Sequence, residues 1–324
     1  MALSEILGLV EGDLSRVEQV FRDEFLSDLK VISDVAAHVR DAGGKRIRPA
    51  LLLLASRLCG HSSDRAVTLG AVVEYIHTAT LLHDDVIDEA ATRRGRTSAN
   101  SRWGNKITVL IGDFLYTKSM AMALTQDNLG ILRLLSDVTL RMIEGQVLEI
   151  EREADITARE DQHIDIIRRK TADLFAACMQ IGAMLGNATP EQEKALADYG
   201  LALGLAFQMK DDLLDFTASE KKLGKPVGLD LREGKLTLPI IYMLESGDED
   251  ARAKVEAVIQ DRGFDRVSHE EIVAAARRTG ALDRAEAVAL GQAEAARVAL
   301  SVFAPSPERE ALLSLPDFIL ARDH

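Results

Sequence analysis

Two clusters of aspartates have the residue type and spacing needed to hold divalent metal ions. They are Asp84, Asp85 and Asp88, then Asp211, Asp212 and Asp215. Residues four apart lie one turn apart on the same face of a helix. Carboxylates this close raise one another's pKa unless a cation lies among them, and Mg²⁺ suits one or two carboxylates plus substrate phosphates. A solvated acidic helix end explains either cluster alone, but the recurrence after two apolar helical stretches favours two facing metal sites that hold a diphosphate.

A basic loop at residues 41–49 is a candidate anion site. Two glycines at 43 and 44 precede Lys45, Arg46 and Arg48, and Pro49 suits the first turn of the next helix. Free N–H groups at a helix N-terminus and fixed positive charge both attract anions. The alternative is an ordinary basic loop. In a chain this acidic, the anion site is the favoured interpretation.

A second basic loop, residues 90–105, follows the first aspartate cluster. Its arginines are Arg93, Arg94, Arg96 and Arg102. Arginine is suited to bidentate phosphate binding, so an acidic metal site beside this loop fits a metal-chelated polyphosphate. The same arginines could instead serve only to neutralise the aspartates.

Polar residues on predicted helices add further candidates. His77 lies seven residues before Asp84 and shares its helix face, although a helical histidine is as often a core or surface residue. Lys170 and Thr171 interrupt an apolar helix, where they could meet a phosphate or form a structural salt bridge. A glycine-punctuated, lysine-bearing loop at 221–239 follows the second cluster, and loops of this length are usually functional or disordered.

Composition excludes several classes of protein. The chain has 324 residues and a net charge of −13, which argues against nucleic acid as a partner. Cys59 and Cys178 lie in apolar helical contexts and are predicted to be buried free thiols. The N-terminus lacks the pattern of a signal peptide, and no apolar run is expected to cross a bilayer. We therefore expect a cytoplasmic protein without stable membrane insertion.

The pattern of prolines and apolar residues predicts an all-α protein with a single domain over residues 1–324. No alternating strand or hairpin dipeptide is evident. The predicted helices are 15–39, 50–59, 66–89, 106–124, 129–153, 160–185 and one from Pro190 to the second aspartate cluster. Ser268 with Glu271 forms a capping box, and Thr189 and Ser306 are expected to start helices before a proline.

Four motifs in this order resemble those of the trans (E)-polyprenyl diphosphate synthases, with the octaprenyl synthases the most similar. They are Gly-Gly-Lys-Arg-Ile-Arg-Pro, Leu-Leu-His-Asp-Asp-Val-Ile-Asp with Arg-Arg-Gly, Phe-Gln-Met-Lys-Asp-Asp-Leu-Leu-Asp, and Gly-Lys-Pro-Val-Gly with Glu-Gly-Lys-Leu-Thr-Leu-Pro. They span residues 43–239. The resemblance implies a bundle of long, mostly antiparallel helices around a central cavity, the isoprenoid synthase type, and a homodimer.

The resemblance also implies roles for individual residues. The six aspartates would hold several Mg²⁺ ions that bridge the diphosphate of an allylic substrate such as farnesyl diphosphate. The residues expected to bind that diphosphate are Arg93, Lys170, Lys225 and Lys235. Those expected to bind isopentenyl diphosphate are Lys45, Arg48, His77 and Arg94. Gln208 and Thr171 would lie near the developing allylic cation.

Product length depends on packing below Asp84. Ala79 lies five residues before Asp84, with Thr80 next to it. Short-chain members of the family typically place an aromatic residue at this depth, so small residues imply an open tunnel and a long product, with octaprenyl as the expectation. Phe114, Met120 and Met122 are candidates for the tunnel floor. The alternatives are a geranylgeranyl or farnesyl diphosphate synthase, a terpene cyclase and a non-catalytic subunit of a heteromeric synthase; the second aspartate cluster argues against the last two.

Overall fold

A computed structural model describes residues 1–25, 27–41, 43–93, 95–217 and 227–322. Within these ranges the regular structure is helical apart from one small strand ladder. Contacts between Cα atoms divide the chain into two compact units. The first comprises Met1–Thr139, Ala177–Ala197 and Val302–Leu312, and the second comprises Leu140–Ala176, Asp198–Ser301 and Leu313–His324. The all-α prediction is confirmed, and the single domain stays a prediction.

Helix α5 is the centre of the first unit. The helices here are α1 (Leu3–Gly8), α2 (Glu11–Glu24), α3 (Lys30–Asp41), α4 (Ile47–Leu58), α5 (Asp64–Ile87), α6 (Ala99–Trp103) and α7 (Asn105–Leu124). α5 packs against α2, α4 and α7. Gly70 lets α2 approach closely, because a Cβ there would lie 2.9 Å from Val17 Cγ2. Packing on several sides fixes α5, whose C-terminal end carries the first aspartate cluster.

The predicted helix at 15–39 is wrong, because the chain forms α2 and α3 instead. Ser27 lies between them, and its Oγ accepts a hydrogen bond of 3.2 Å from the Leu29 backbone N–H. Local bonds of this kind compete with the helical backbone pattern. Leu29 is 62% exposed, so the apolar stripe assumed for one helix does not continue.

Two short strands also depart from the prediction that the chain contains none. β1 (Thr92–Arg93) pairs antiparallel with β2 (Arg96–Thr97), and Gly95 between them has a φ of 73°. Two-residue strands are too short to leave an alternating pattern in the sequence. The ladder matters because it holds Arg93 near the end of α5.

The second unit is built around a buried helix, α13. Its helices and those that cross the unit boundaries are α8 (Leu129–Glu151), α9 (Glu160–Ile167), a π-helical turn (Arg168–Ala172), α10 (Asp173–Leu185), α11 (Pro190–Thr217), α12 (Leu229–Arg232), α13 (Leu238–Glu245), α14 (Glu249–Asp261), α15 (His269–Arg278), α16 (Ala281–Ala299), a 3₁₀ turn (Leu300–Val302) and α17 (Pro307–Leu320). α13 packs against α9, α14, α15 and α16. The helix predicted at 160–185 is thus α9 and α10 with a π turn between them.

Helix starts read from the sequence are confirmed. The Ser268 hydroxyl accepts from the Glu271 N–H at 3.3 Å, and the Glu271 carboxylate accepts from the Ser268 N–H at 2.9 Å. The Thr189 hydroxyl accepts from Gln192 N–H at 3.2 Å, and the Ser306 hydroxyl from Arg309 N–H at 3.1 Å. Side-chain caps of this kind satisfy backbone N–H groups that have no partner within the helix.

Helix α7 is long and apolar enough to cross a membrane by length and composition, contrary to the sequence prediction. It has 20 residues, a mean hydropathy of 1.3 in its most apolar window and 39% of that window buried. One such helix is weak evidence for a membrane span, because core helices of soluble proteins meet the same criteria of length and composition. Both cysteines are free, with Cys178 buried and Cys59 half-buried. Burial raises the pKa of Cys59 to about 11 and that of Cys178 to about 12.

Candidate active site

The first aspartate cluster occupies the C-terminal end of α5. Asp84 lies in the last turn, and Asp88 caps the helix, with its N–H donating to the Asp84 carbonyl at 2.8 Å. Both side chains are half-buried, whereas Asp85 is 2% exposed. The chain then turns through Glu89, at a φ of 48°. The cluster therefore keeps Asp84 and Asp88 one turn apart and directs Asp85 inward.

Arg93 is brought against this cluster by the strand ladder. Its Nε donates to Asp85 Oδ1. Burial raises the pKa of the Asp85 carboxyl, the Arg93 guanidinium lowers it, and the charge of Asp88 raises it. The structure thus places this arginine on Asp85; its role in binding a diphosphate stays a prediction, and the ion pair also fits the alternative of charge neutralisation.

A cleft in the first unit collects several predicted residues. It has an empty volume of about 560 Å³, and His77, Asp85, Arg93 and Gly43 are in its lining. Lys45 is exposed, and Arg48 is half-buried in the first turn of α4; neither is in the lining. The structure therefore brings His77 and Arg93 to the first cluster and leaves Lys45 and Arg48 outside this cleft.

Arg46 has a structural role that the sequence did not reveal. It caps α4 in the left-handed conformation, and its guanidinium binds Glu18 of α2 and Glu74 of α5. One of the loop's cations is thus committed to joining helices. His38 was also missed: its Nε2 bonds to the Thr97 carbonyl at 2.8 Å and its ring contacts Trp103 edge-on. His38 therefore supports the strand ladder that carries Arg93.

The second aspartate cluster lies near the end of α11, and each of its members has a different partner. Asp211 Oδ1 lies 3.0 Å from Arg322 Nη1. Asp212 accepts from Gln208 Nε2 at 3.0 Å through Oδ1 and bonds to His163 Nε2 at 3.0 Å through Oδ2. Asp215 is 1% exposed and accepts from the Asp230 backbone N–H at 3.2 Å. The three carboxylates are thus oriented from separate directions.

A cleft in the second unit gathers the other predicted residues. It has an empty volume of about 780 Å³. The predicted residues in its lining are Lys170, Thr171, Gln208, Asp212 and Lys235, and the sequence analysis missed Glu149 and His163, which also line it. His163 lies 49 positions from its partner Asp212 in the sequence. No local pattern could reveal such pairs.

Lys170 and Thr171 belong to the π-helical turn, a form frequently found at functional sites. The Lys170 ammonium binds the Glu149 carboxylate, which is the structural salt bridge considered from the sequence. Lys170 also lines the cleft, so it lies where a phosphate could bind as well. Thr171 Oγ1 donates to Gln208 Oε1 at 3.0 Å. Lys235 Nζ lies 2.9 Å from a Glu233 carboxylate oxygen. Lys170 and Lys235, both predicted to bind a diphosphate, therefore line the cleft, and each forms an ion pair with a carboxylate.

The residues assigned to product length lie on α5 and α7. Ala79 is 3% exposed, and Thr80 is half-buried, with its hydroxyl donating to the His77 carbonyl at 2.7 Å. Met122 is buried, Met120 and Phe114 are half-buried, and Phe114 contacts the Phe25 ring. Their place relative to a tunnel stays a prediction. Arg94 and Lys225 lie outside the described residues.

The donors available for a metal are the aspartate oxygens of the two clusters. Within the described ranges, no group of three His, Cys, Asp or Glu side chains lies close enough to hold an ion. Asp84 and Asp88 nevertheless offer two neighbouring carboxylates, and Mg²⁺ commonly takes one or two, with substrate phosphates completing its shell. The donor set therefore fits Mg²⁺ bound together with a phosphorylated substrate.

Known proteins are similar to this chain over its whole length. The family model described as polyprenyl synthetase matches residues 29–276. The octaprenyl diphosphate synthase of Escherichia coli K12 is 39% identical, with 100% of each chain covered. A crystal structure of a polyprenyl synthase from Caulobacter crescentus CB15, complexed with calcium and isoprenyl diphosphate, has a TM-score of 0.95 at 36% identity and covers 100% of this chain and 98% of that one.

A decaprenyl diphosphate synthase from Rhodobacter capsulatus has a TM-score of 0.94 at 38% identity, with 100% of both chains covered. These similarities confirm the resemblance seen in the four motifs. The chain therefore belongs to the polyprenyl synthetase family and is a trans-prenyltransferase.

Proposed function

We propose that the protein condenses isopentenyl diphosphate with an allylic diphosphate, such as farnesyl diphosphate, to make a long-chain all-trans polyprenyl diphosphate, with octaprenyl as the product. The observation that carries this proposal is that one aspartate of each cluster, Asp85 and Asp212, lines a cleft together with cations and polar groups suited to a diphosphate. The full-length similarity to an octaprenyl diphosphate synthase supports the product.

The six aspartates would hold Mg²⁺ on the allylic diphosphate. When bound, Mg²⁺ would supply positive charge to the leaving diphosphate. Asp84 and Asp88 are accessible enough to act as ligands, and Asp212 is held by two hydrogen-bond donors. Fixed donors of this kind spare the site from reorganising as charge develops.

Cations near the clusters would bind the two diphosphates. Arg93, Lys170, Lys225 and Lys235 are assigned to the allylic substrate. Lys45, Arg48, His77 and Arg94 are assigned to isopentenyl diphosphate. Lys170 contacts Glu149 and Arg93 contacts Asp85, so each cation would exchange or share its carboxylate when a diphosphate binds.

The condensation would proceed in three steps beside these residues. The allylic C–O bond breaks while the cations hold the leaving diphosphate. The double bond of isopentenyl diphosphate then attacks the allylic cation, beside Thr171 and Gln208. A proton leaves the new chain, with the departing diphosphate as its acceptor. Apolar surroundings must exclude water, which would otherwise quench the cation.

A homodimer is proposed from exposed apolar residues on two helices. In its second half α8 exposes Leu140, Ile143, Val147 and Ile150, a spacing typical of a helix–helix seam. α7 separately exposes Leu110 and Leu124. Exposed stripes of this kind usually mark an interface. We assign it to a second copy of the chain, and we place the protein in the cytoplasm.

Incorporation of radiolabelled isopentenyl diphosphate tests the reaction. Purified protein is incubated with farnesyl diphosphate and Mg²⁺, and a parallel sample contains excess chelator. We expect butanol-extractable label only when Mg²⁺ is free. Equal incorporation with chelator would contradict the metal role, and no incorporation with several allylic primers would point to a non-catalytic subunit.

A further inference from the structure

We infer that His163 is a positioning residue that orients Asp212 and, through it, the side chains of Gln208 and Thr171. It lies on α9, outside the four motifs. The inference rests on the proposed function, because it gives the Thr171 hydroxyl a defined orientation toward the reacting cation. It concerns the second unit alone.

The contact between His163 and Asp212 is buried. His163 is 9% exposed, Asp212 is 4% exposed, and Nε2 lies 3.0 Å from Oδ2. An ionised carboxylate can only accept hydrogen bonds, so the histidine must carry its hydrogen on Nε2. Gln208 Nε2 donates to the other oxygen, Oδ1, at 3.0 Å. The carboxylate is therefore held at both oxygens and cannot rotate without losing a bond.

This arrangement fixes the amide of Gln208. Its NH₂ group must face the carboxylate, so its carbonyl oxygen faces the other way. Thr171 Oγ1 lies 3.0 Å from that oxygen. A carbonyl oxygen only accepts, so the Thr171 hydroxyl must donate its single hydrogen to Gln208. Each hydrogen bond in the series that joins His163, Asp212, Gln208 and Thr171 then has a fixed donor and a fixed acceptor.

The consequence lies at the cleft wall that Thr171 and Gln208 share. With its hydrogen committed, the Thr171 hydroxyl can offer the cleft only lone pairs. An electron-rich oxygen already in place stabilises a positive charge that develops beside it. Without the His163 hydrogen bond, Asp212 can rotate, the Gln208 amide is released, and the Thr171 hydroxyl can turn its hydrogen toward the cation.

Two substitutions separate this role from simple packing. His163→Leu keeps most of the bulk and removes the donor, and His163→Gln places an amide N–H near the position of Nε2. We expect His163→Leu to lower kcat by about 10–100-fold, the range for residues that orient metal ligands. We expect His163→Gln to recover most of that loss.

A matched control and a binding measurement complete the test. His61→Leu removes a histidine that bonds to Ser63 Oγ at 2.6 Å in the first unit, and it should leave kcat unchanged. Calorimetric titration with Mg²⁺ and inorganic pyrophosphate reports on Asp212 without turnover. His163→Leu should weaken this binding, and His163→Gln should restore it. If His163→Leu does not fold, His163→Asn replaces it, because its amide stops at the depth of Nδ1.

Each outcome decides the inference. A wild-type kcat and wild-type pyrophosphate affinity in His163→Leu would overturn it while the proposed function stands. Equal losses in His163→Leu and His163→Gln would also overturn it, since they indicate a packing role. A wild-type chain that turns over no allylic diphosphate would overturn the proposed function instead, and the titration would still decide whether His163 orients Asp212.

Discussion

Gly145 of α8 and Lys170 of the π-helical turn lie so close that a Cβ on the glycine would be 3.0 Å from the lysine backbone nitrogen and 2.7 Å from Arg169 Cβ. On α11, a Cβ at Gly204 would lie 2.6 Å from Ala172 Cα. The π turn is therefore held between two glycines. This close packing places Lys170 and Thr171 in the wall of the second cleft.

Gly145→Ala should displace the π turn and lower activity. Overpacking of this kind typically costs about 1–3 kcal/mol of stability. A shift near 1 Å in a substrate-positioning group can cost about 100-fold in rate. Urea unfolding and kcat measure the two effects. The control is Gly291→Ala on α16, where a Cβ would meet open space and kcat should not change. A wild-type kcat for Gly145→Ala would show that the turn tolerates the displacement.

Asp84→Ala and Asp211→Ala should each abolish turnover, because each removes a proposed Mg²⁺ ligand. Far-ultraviolet circular dichroism should show unchanged helicity, since both side chains are only half-buried at helix ends. Glu286→Ala, which removes an exposed carboxylate of α16, should retain full activity. Rates near wild type in either aspartate variant would refute the metal role of that cluster.

Ala79→Phe should shorten the product. Ala79 is 3% exposed on α5, so an aromatic ring there must fill neighbouring space, at a stability cost of about 1–3 kcal/mol. Dephosphorylated products separated by chain length provide the measurement. Ala287→Phe, at an exposed position of α16, should leave product length unchanged. An unaltered product from a folded Ala79→Phe protein would place the tunnel elsewhere.

Ile143→Glu should dissociate the proposed homodimer. Ile143 is 63% exposed at the middle of the apolar stripe on α8. A charge there would lie against apolar residues of a second copy and lose its hydration. Sedimentation velocity gives the mass of each species. Leu290→Glu adds the same charge at an apolar residue of α16 that is 52% exposed, and it should remain dimeric. A wild-type sedimentation coefficient for Ile143→Glu would remove this stripe from the interface.

Much of the fold could be predicted from the sequence, because caps and apolar periodicity act locally. Ser268 and Thr189 start helices where the sequence indicates. The break between α2 and α3 escaped prediction. The hydrogen bond from Leu29 N–H to Ser27 Oγ competes with helix formation there, but a single serine is a weak signal in the sequence. The π turn escaped as well: it packs against glycines of two other helices, and contacts between distant segments leave no local pattern in the sequence.

The residues of the candidate site likewise fall into those that the sequence predicts and those that it does not. The aspartate clusters and Arg93 have local signatures, and the structure places Arg93 on Asp85. Arg322 reaches Asp211 from the far end of the chain, and His163 reaches Asp212 from another helix. Contacts between distant segments leave no spacing to detect. Arg46 shows the opposite case, in which a cation within a motif is committed to Glu18 and Glu74.

The most direct test of the central claim is the chain length of the product made from farnesyl diphosphate, radiolabelled isopentenyl diphosphate and Mg²⁺. The account predicts a ladder of all-trans products that ends at about eight prenyl units, because the small side chain of Ala79 is proposed to leave a tunnel open below the first aspartate cluster. A product that stops at geranylgeranyl length would keep the chemistry and contradict the open tunnel. No elongation from any allylic primer would contradict the account as a whole.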